Sequence, residues 1–145
     1  SVSRGLGDVY KRQGCSTCSL HNKPCPQKDD TAEILEKMIR ADVIVMATPV
    51  YFYTMSAQMK TLIDRCCGRY TEMGNKEFYF IATAAEGDRK LMERTIDTFQ
   101  GFLDCLENPV IKGVVYGAGV WHTGEINDKP AMREAYEMGR HCLES

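Results

Sequence analysis

Residues 43–56 read Val43-Ile44-Val45-Met46-Ala47-Thr48-Pro49-Val50-Tyr51-Phe52-Tyr53-Thr54-Met55-Ser56. The opening run is apolar, partly β-branched and free of polar alternation. It predicts a parallel strand covered on both faces and stopping at Pro49. The loop that follows holds Tyr51, Phe52 and Tyr53 in succession, where connecting loops are ordinarily short and polar. A flat apolar ligand could lie there, and rings packed beneath the sheet edge would account for them equally well. Ser56 is placed to cap a helix whose Met59, Leu62, Ile63, Cys66, Cys67 and Tyr70 share one stripe.

The same alternation continues in both directions. Upstream, Asp30 with Glu33 has capping-box spacing, and Ile34, Leu35, Met38 and Ile39 fall on one face of a helix ending near Arg40. Downstream, Phe78 to Ala82 predicts a second buried strand. Leu91, Met92, Ile96, Phe99, Leu103 and Leu106 mark a long helix, and Ile111 to Tyr116 a third strand. A last helix begins near Pro130 and runs through Met132, Ala135, Tyr136 and Gly139. Strand and helix alternating at this spacing imply an open parallel α/β sheet with right-handed crossovers. Such sheets bind ligands outside the carboxyl ends of their strands, so the loops Thr48 to Met55, Thr83 to Asp88 and Gly117 to Asn127 are expected to converge on one edge.

Composition narrows the classes. A chain of 145 residues, 43% apolar and 26% charged, suits one soluble domain. The longest mostly apolar run, Val43 to Tyr53, is far short of the roughly 20 residues of a membrane span. A net charge of −2 lacks the basic excess of a nucleic-acid footprint. Seven cysteines, an odd number without a preceding signal-peptide pattern, argue against a secreted disulfide framework and for a reducing, cytoplasmic compartment. Ser3 to Gln13 has neither strand nor helix periodicity, and all of it matches the translation of a sequencing-library adapter joined to a transposon end. The expected division is therefore a non-native tail, 1–13, and a single domain, 14–145. Setting aside Arg4, Asp8, Lys11 and Arg12 moves the net charge from −2 to −4.

Thr48-Pro49-Val50-Tyr51, followed by Met55-Ser56-Ala57-Gln58-Met59-Lys60 and Ile63-Asp64-Arg65, resembles the flavin-binding loop and helix of the flavodoxin-like NAD(P)H-dependent FMN oxidoreductases. The multimeric flavodoxins and iron-sulfur flavoproteins form the branch in question. Other segments agree in order: Gly14-Cys15-Ser16-Thr17-Cys18 with Cys25 and Lys28-Asp29-Asp30, the strand at Ala41 to Val45, Thr83-Ala84-Ala85-Glu86, and Gly117-Ala118-Gly119. The resemblance implies a flavodoxin-like open parallel sheet with helices on both faces, of which this chain supplies the last three strands. The first strand-helix-strand, and with it the phosphate-binding loop, would be missing. For the parent protein it implies an enzyme passing electrons from NAD(P)H through FMN to a quinone or other small acceptor, with a homo-oligomeric assembly. The fragment itself is expected to bind FMN weakly or not at all and to be inactive. Thr48, Pro49, Val50, Tyr51 and Phe52 would line the isoalloxazine, with Tyr51 or Phe52 on its face. Thr83, Ala84, Ala85 and Glu86 would meet its pyrimidine edge. No side chain stands out as a general acid or base, so no catalytic residue is assigned.

The alternatives are an iron-sulfur flavoprotein and a flavodoxin-type electron carrier. A receiver domain of similar topology would need an aspartate where Thr48-Pro49 stands. In the iron-sulfur branch a third cysteine follows Cys18 by three positions; here His21 occupies that place. Cys15, Cys18, His21 and Cys25 could hold a cluster or zinc, or be a remnant without metal, and no metal is assigned. Cys66 and Cys67 read as core and His141 as surface. Trp121-His122 either borders the nicotinamide or acceptor site or is simply exposed.

Overall fold

The computed structural model describes residues 11–18 and 23–142. Helix α1 (Thr31–Arg40) leads into β1 (Val43–Tyr51), a two-residue β2 (Thr54–Met55) and α2 (Ala57–Arg65). Then follow β3 (Glu77–Thr83), α3 (Arg89–Leu103), β4 (Val110–Gly117) and α4 (Pro130–His141). The sheet order is β2-β1-β3-β4, with β1, β3 and β4 parallel and β2 antiparallel to β1. The parallel α/β core is as expected; the hairpin makes the sheet mixed. Among the described residues no helix is long and apolar enough to cross a membrane.

The core lies on one face. Ile44 and Met46 of β1 and Phe78 and Phe80 of β3 pack against Leu35 and Met38 of α1, Met59 and Leu62 of α2, and Phe99 and Leu103 of α3. Phe80 and Phe99 stack with ring centroids 4.6 Å apart. On the other face α4 covers β4, and it comes so close that a Cβ on Gly113 would lie 3.0 Å from the Met138 sulfur and 3.1 Å from the Tyr79 ring. Helices thus occupy both faces, but α4 stops short of β1. Val45 is 51% exposed, and Ala47 and Pro49 are exposed too. The expectation of a β1 covered on both faces is corrected: among the described residues nothing covers its second face.

Local signals account for most element ends. Ser56 caps α2, its Oγ accepting the Met59 N–H at 3.3 Å. Asp88 caps α3 through the Lys90 N–H, and Pro130 opens α4. At α1 the N-cap is Asp30, as its spacing predicts, but the capping bond is not made by it. Asp30 makes no side-chain capping bond, and the Thr31 N–H donates to Asp29 Oδ1 instead. The C-terminus of α1 is closed from a distance by buried Lys76, whose ammonium donates to the carbonyls of Ile39 and Ala41 at 2.7 and 2.6 Å.

Candidate functional site

The strand β1 does not stop at Pro49. It pairs with β3 through Pro49 opposite Thr83, then with β2 through Val50–Met55 and Tyr51–Thr54. Proline lacks a donor and is tolerated where one side of a strand has no ladder partner, which is the case for β1 at this position. Phe52 and Tyr53 form the two-residue turn, with φ of 48° and 63°. A tight hairpin with both central residues left-handed normally takes Asn-Gly. Here two aromatic residues take it, at a cost of roughly 1–2 kcal/mol each. Backbone strain of this kind persists where the surroundings over-determine it, and it concentrates at ligand sites.

The surroundings are visible. Thr48, buried at 4% exposure, donates its hydroxyl to the Pro49 carbonyl at 2.8 Å and accepts the Ser56 N–H at 2.9 Å. One side chain therefore ties the strand before the hairpin to the helix after it. Arg94 of α3 stands 5.5 Å from the Tyr53 ring centroid. The Phe52 side chain is wholly exposed, Tyr51 60% and Tyr53 46%. No ring packs beneath the sheet edge in the way the alternative reading of this loop required.

The other two loops are joined by backbone bonds. Ala84 N–H donates to Gly117 O at 3.0 Å, Val120 N–H to Ala84 O at 2.9 Å, and Gly119 N–H to Glu86 O at 2.8 Å. Gly119 has φ +68°, open to glycine at little cost. Ala84 is buried, while Ala85 and Glu86 are exposed. Arg89 lies 4.3 Å over the Tyr116 ring. Further along, Glu125 Oε2 accepts the backbone N–H of Trp121 at 2.7 Å and of His122 at 3.0 Å. Those bonds, His122 first, hold its carboxyl below the usual glutamate range. Both Trp121 and His122 are exposed. The three loops thus stand at the carboxyl ends of parallel strands, presenting aromatic rings and backbone polar groups. That donor set suits a planar ring system with a polar edge.

The cysteines lie elsewhere. Cys15, Cys18, Cys25 and Cys67 line a cleft of about 490 Å³ between the start of α1 and the end of α2, and none of the flavin-loop candidates lines it. The Thr17 backbone N–H, then its hydroxyl, hold the Cys15 thiol below its ordinary value. Arg65, 7% exposed, is fixed by Asp29 at 2.6 and 3.2 Å and reaches Cys25 Sγ at 3.4 Å through Nη2. The sequence reading missed Arg65 and Asp29 as a buried pair. The signal was a cation three residues after Leu62 on an otherwise apolar stripe. It also placed Cys67 in the core with Cys66, whereas Cys66 is buried and Cys67 is half-buried at the cleft. His21 lies outside the described residues. Among those described, no three His, Cys, Asp or Glu side chains are gathered closely enough to hold a metal ion.

Comparison with known proteins agrees with this geometry. A family model described as NADPH-dependent FMN reductase matches residues 5–123, beginning inside the stretch read as adapter. An iron-sulfur flavoprotein of Archaeoglobus fulgidus is 43% identical over 154 aligned residues, spanning 94% of this chain and 74% of that protein. The FMN-dependent NADH:quinone oxidoreductase 2 of Pseudomonas aeruginosa is 31% identical over 103 residues, 59% of this chain and 51% of its own. Among solved structures, the Trp repressor binding protein from Bacillus subtilis superposes with a TM-score of 0.64 at 24% identity, covering 73% of each chain, a likeness of fold. Fold, loop placement and family match converge: the chain belongs to the NADPH-dependent FMN reductase family.

Proposed function

We propose that this chain carries the ring-binding side of an FMN-dependent oxidoreductase that takes electrons from NAD(P)H and delivers them to a quinone or another small acceptor. The observation that carries the reading is the hairpin: exposed aromatic residues held on a left-handed backbone at the sheet edge where such folds bind ligands. The chemistry FMN supplies when bound is hydride acceptance and onward electron transfer. Tyr51 and Phe52 would cover the ring face, with Thr48, Pro49 and Val50 shaping the floor beneath it. The loop Thr83-Ala84-Ala85-Glu86 would offer backbone groups to the ring's polar edge, held in place by its bonds to Gly117, Gly119 and Val120. These residues bind and orient; none is placed to donate or abstract a proton.

We further propose that the phosphate end is held by sequence that precedes Gly14 in the source gene. The adapter match at Ser3–Gln13 supports this reading, and so does the stretch Val43–Pro49 of β1, which among the described residues has no ladder partner on the side away from β3. The intact protein is proposed to be a homo-oligomer. The test is titration of FMN, followed by its fluorescence, with the chain extended by the region preceding Gly14 in the source genome, against a Tyr51→Ser, Phe52→Ser double variant of the same extended chain. Quenching by the wild type that the double variant loses supports the site; equal quenching by both sinks it.

A second reading has its own observation. Four cysteines facing one cleft, in a chain 43% identical to an iron-sulfur flavoprotein, favour an iron-sulfur flavoprotein over a simple flavodoxin-type carrier. Anaerobic reconstitution with ferrous iron and sulfide tests it by iron content. A chain that takes up no iron rejects it.

A further inference from the structure

Trp121 is 78% exposed, yet the backbone beneath it is fixed from three directions. Just before it, Gly119 N–H donates to Glu86 O at 2.8 Å and Val120 N–H to Ala84 O at 2.9 Å, which ties the chain to the loop Thr83–Glu86. Just after it, Glu125 folds back: one carboxylate oxygen accepts the N–H of Trp121 at 2.7 Å and of His122 at 3.0 Å, and the Glu125 N–H donates to His122 O at 3.3 Å. Gly124, at φ +92°, makes the turn that brings the carboxylate round. Beyond the turn, Ile126 packs where Gly117 has no side chain; a Cβ there would lie 2.8 Å from Ile126 Cδ1 and 3.0 Å from Thr83 Cγ2.

A carboxylate accepting from two successive N–H groups makes charge-assisted bonds, and here they are spent on holding up a ring that folding does not bury. Ordering the loop costs entropy that an exposed side chain does not offset. A rigid, bare aromatic face is suited to stacking on another planar ring. Trp121 stands one residue, about 3.8 Å of chain, beyond the bond to Ala84, beside the loop read as meeting the flavin's edge. The charges here disfavour an anion: Glu86, Asp88, Glu125 and Asp128 stand on the two loops, against Lys129 and, at the start of α3, Arg89. An uncharged ring is not repelled, whereas the phosphates of a nicotinamide nucleotide would be. We propose that Trp121 forms a wall of the acceptor site, stacking on the planar ring of an uncharged, quinone-like acceptor, and that Glu125 is the residue that positions it. The proposal rests on the FMN reading above. It concerns binding alone, so no bond forms or breaks at either residue.

The experiment uses the chain extended by the region preceding Gly14 in the source genome, loaded with FMN and assayed with NADH and menadione. Trp121→Ala is expected to raise KM for menadione about threefold to tenfold while kcat, KM for NADH and FMN retention hold. Trp121→Phe, which keeps a ring, is expected to recover most of the loss. Glu125→Ala is expected to repeat the rise, and Glu125→Gln, whose amide oxygen still accepts both N–H groups, to stay near the wild type. An unmoved KM for menadione in Trp121→Ala, or a rise for NADH instead, overturns the assignment and leaves the FMN reading standing. Loss of FMN in Trp121→Ala and Trp121→Phe alike also overturns it, by placing the residue in the flavin's own site. An extended wild type that binds no FMN removes both. A second readout needs no flavin: in the 145-residue chain Trp121 is the single tryptophan, so its fluorescence anisotropy reports this loop. Glu125→Ala is expected to lower the anisotropy and Glu125→Gln to keep it. Equal anisotropy in Glu125→Ala and the wild type overturns the positioning role whatever the kinetics give.

Discussion

Phe52 exposes its whole side chain on a φ of 48°, so folding gains nothing from the ring and pays for the backbone. Replacing it should therefore separate stability from binding. Phe52→Gly is expected to raise unfolding free energy by about 1 kcal/mol in urea, because glycine adopts the left-handed region freely, while weakening FMN quenching. A loss of both would mean the ring packs on the fold. Arg65 behaves oppositely. Its pair with Asp29 leaves the two side chains 4% and 1% exposed, and Arg65→Ala strands a buried carboxylate at a cost of roughly 3–5 kcal/mol. An unchanged urea midpoint would show that the pair is solvated. Glu125 provides a pH handle. Its folded-state carboxyl sits below the usual glutamate range, so its stabilisation is fully present above the unfolded value and is lost as pH falls through the depressed one. Trp121, the single tryptophan, donates its backbone N–H to the Glu125 carboxylate. Its fluorescence is expected to titrate below the ordinary glutamate range in the wild type and to stay flat there in Glu125→Gln. A transition that persists in the variant would assign it to another group.

Among the elements, β1 combines two features that the sequence could not separate. Its apolar run was legible as a strand, and so were α1, α2, α3 and α4 from their stripes and caps, because periodicity and capping are local. The hairpin was not legible. Phe52-Tyr53 is the wrong chemistry for a two-residue turn, and Pro49 reads as a strand end unless it is known that one side of β1 lacks a partner. Nor was the exposure of Val45, since a continuous apolar run looks the same whether its second face is covered or bare. The three candidate loops were legible as sequence; the bonds joining Thr83–Glu86 to Gly117–Val120 are tertiary and were invisible. The cysteine cleft was half legible: Cys15, Cys18 and Cys25 are close in sequence, but Cys67 reaches them only through the fold. The open face of β1 carries its own prediction. Val45→Lys is expected to leave circular dichroism and urea midpoint unchanged and to reduce aggregation, as charge does on exposed strands. A large drop in the midpoint would indicate that this face is covered in solution.

At the scale of the whole molecule, three helices hold one face of a parallel sheet, a fourth covers part of the other, and two sites stand apart. One is a rim of aromatic and backbone groups at the carboxyl edge; the other is a cleft of thiols between α1 and α2. A flavin and a cluster so separated would make the chain an electron-transfer protein with two centres, and FMN binding is the claim on which the rest depends. The most direct measurement is a visible absorption spectrum after incubation with excess FMN and desalting. It is taken on this chain and on one whose residues 1–13 are replaced by the region preceding Gly14 in the source genome. The account predicts a yellow extended protein, bleached by NAD(P)H, beside a chain that loses its flavin on desalting. An extended protein that stays colourless would contradict it.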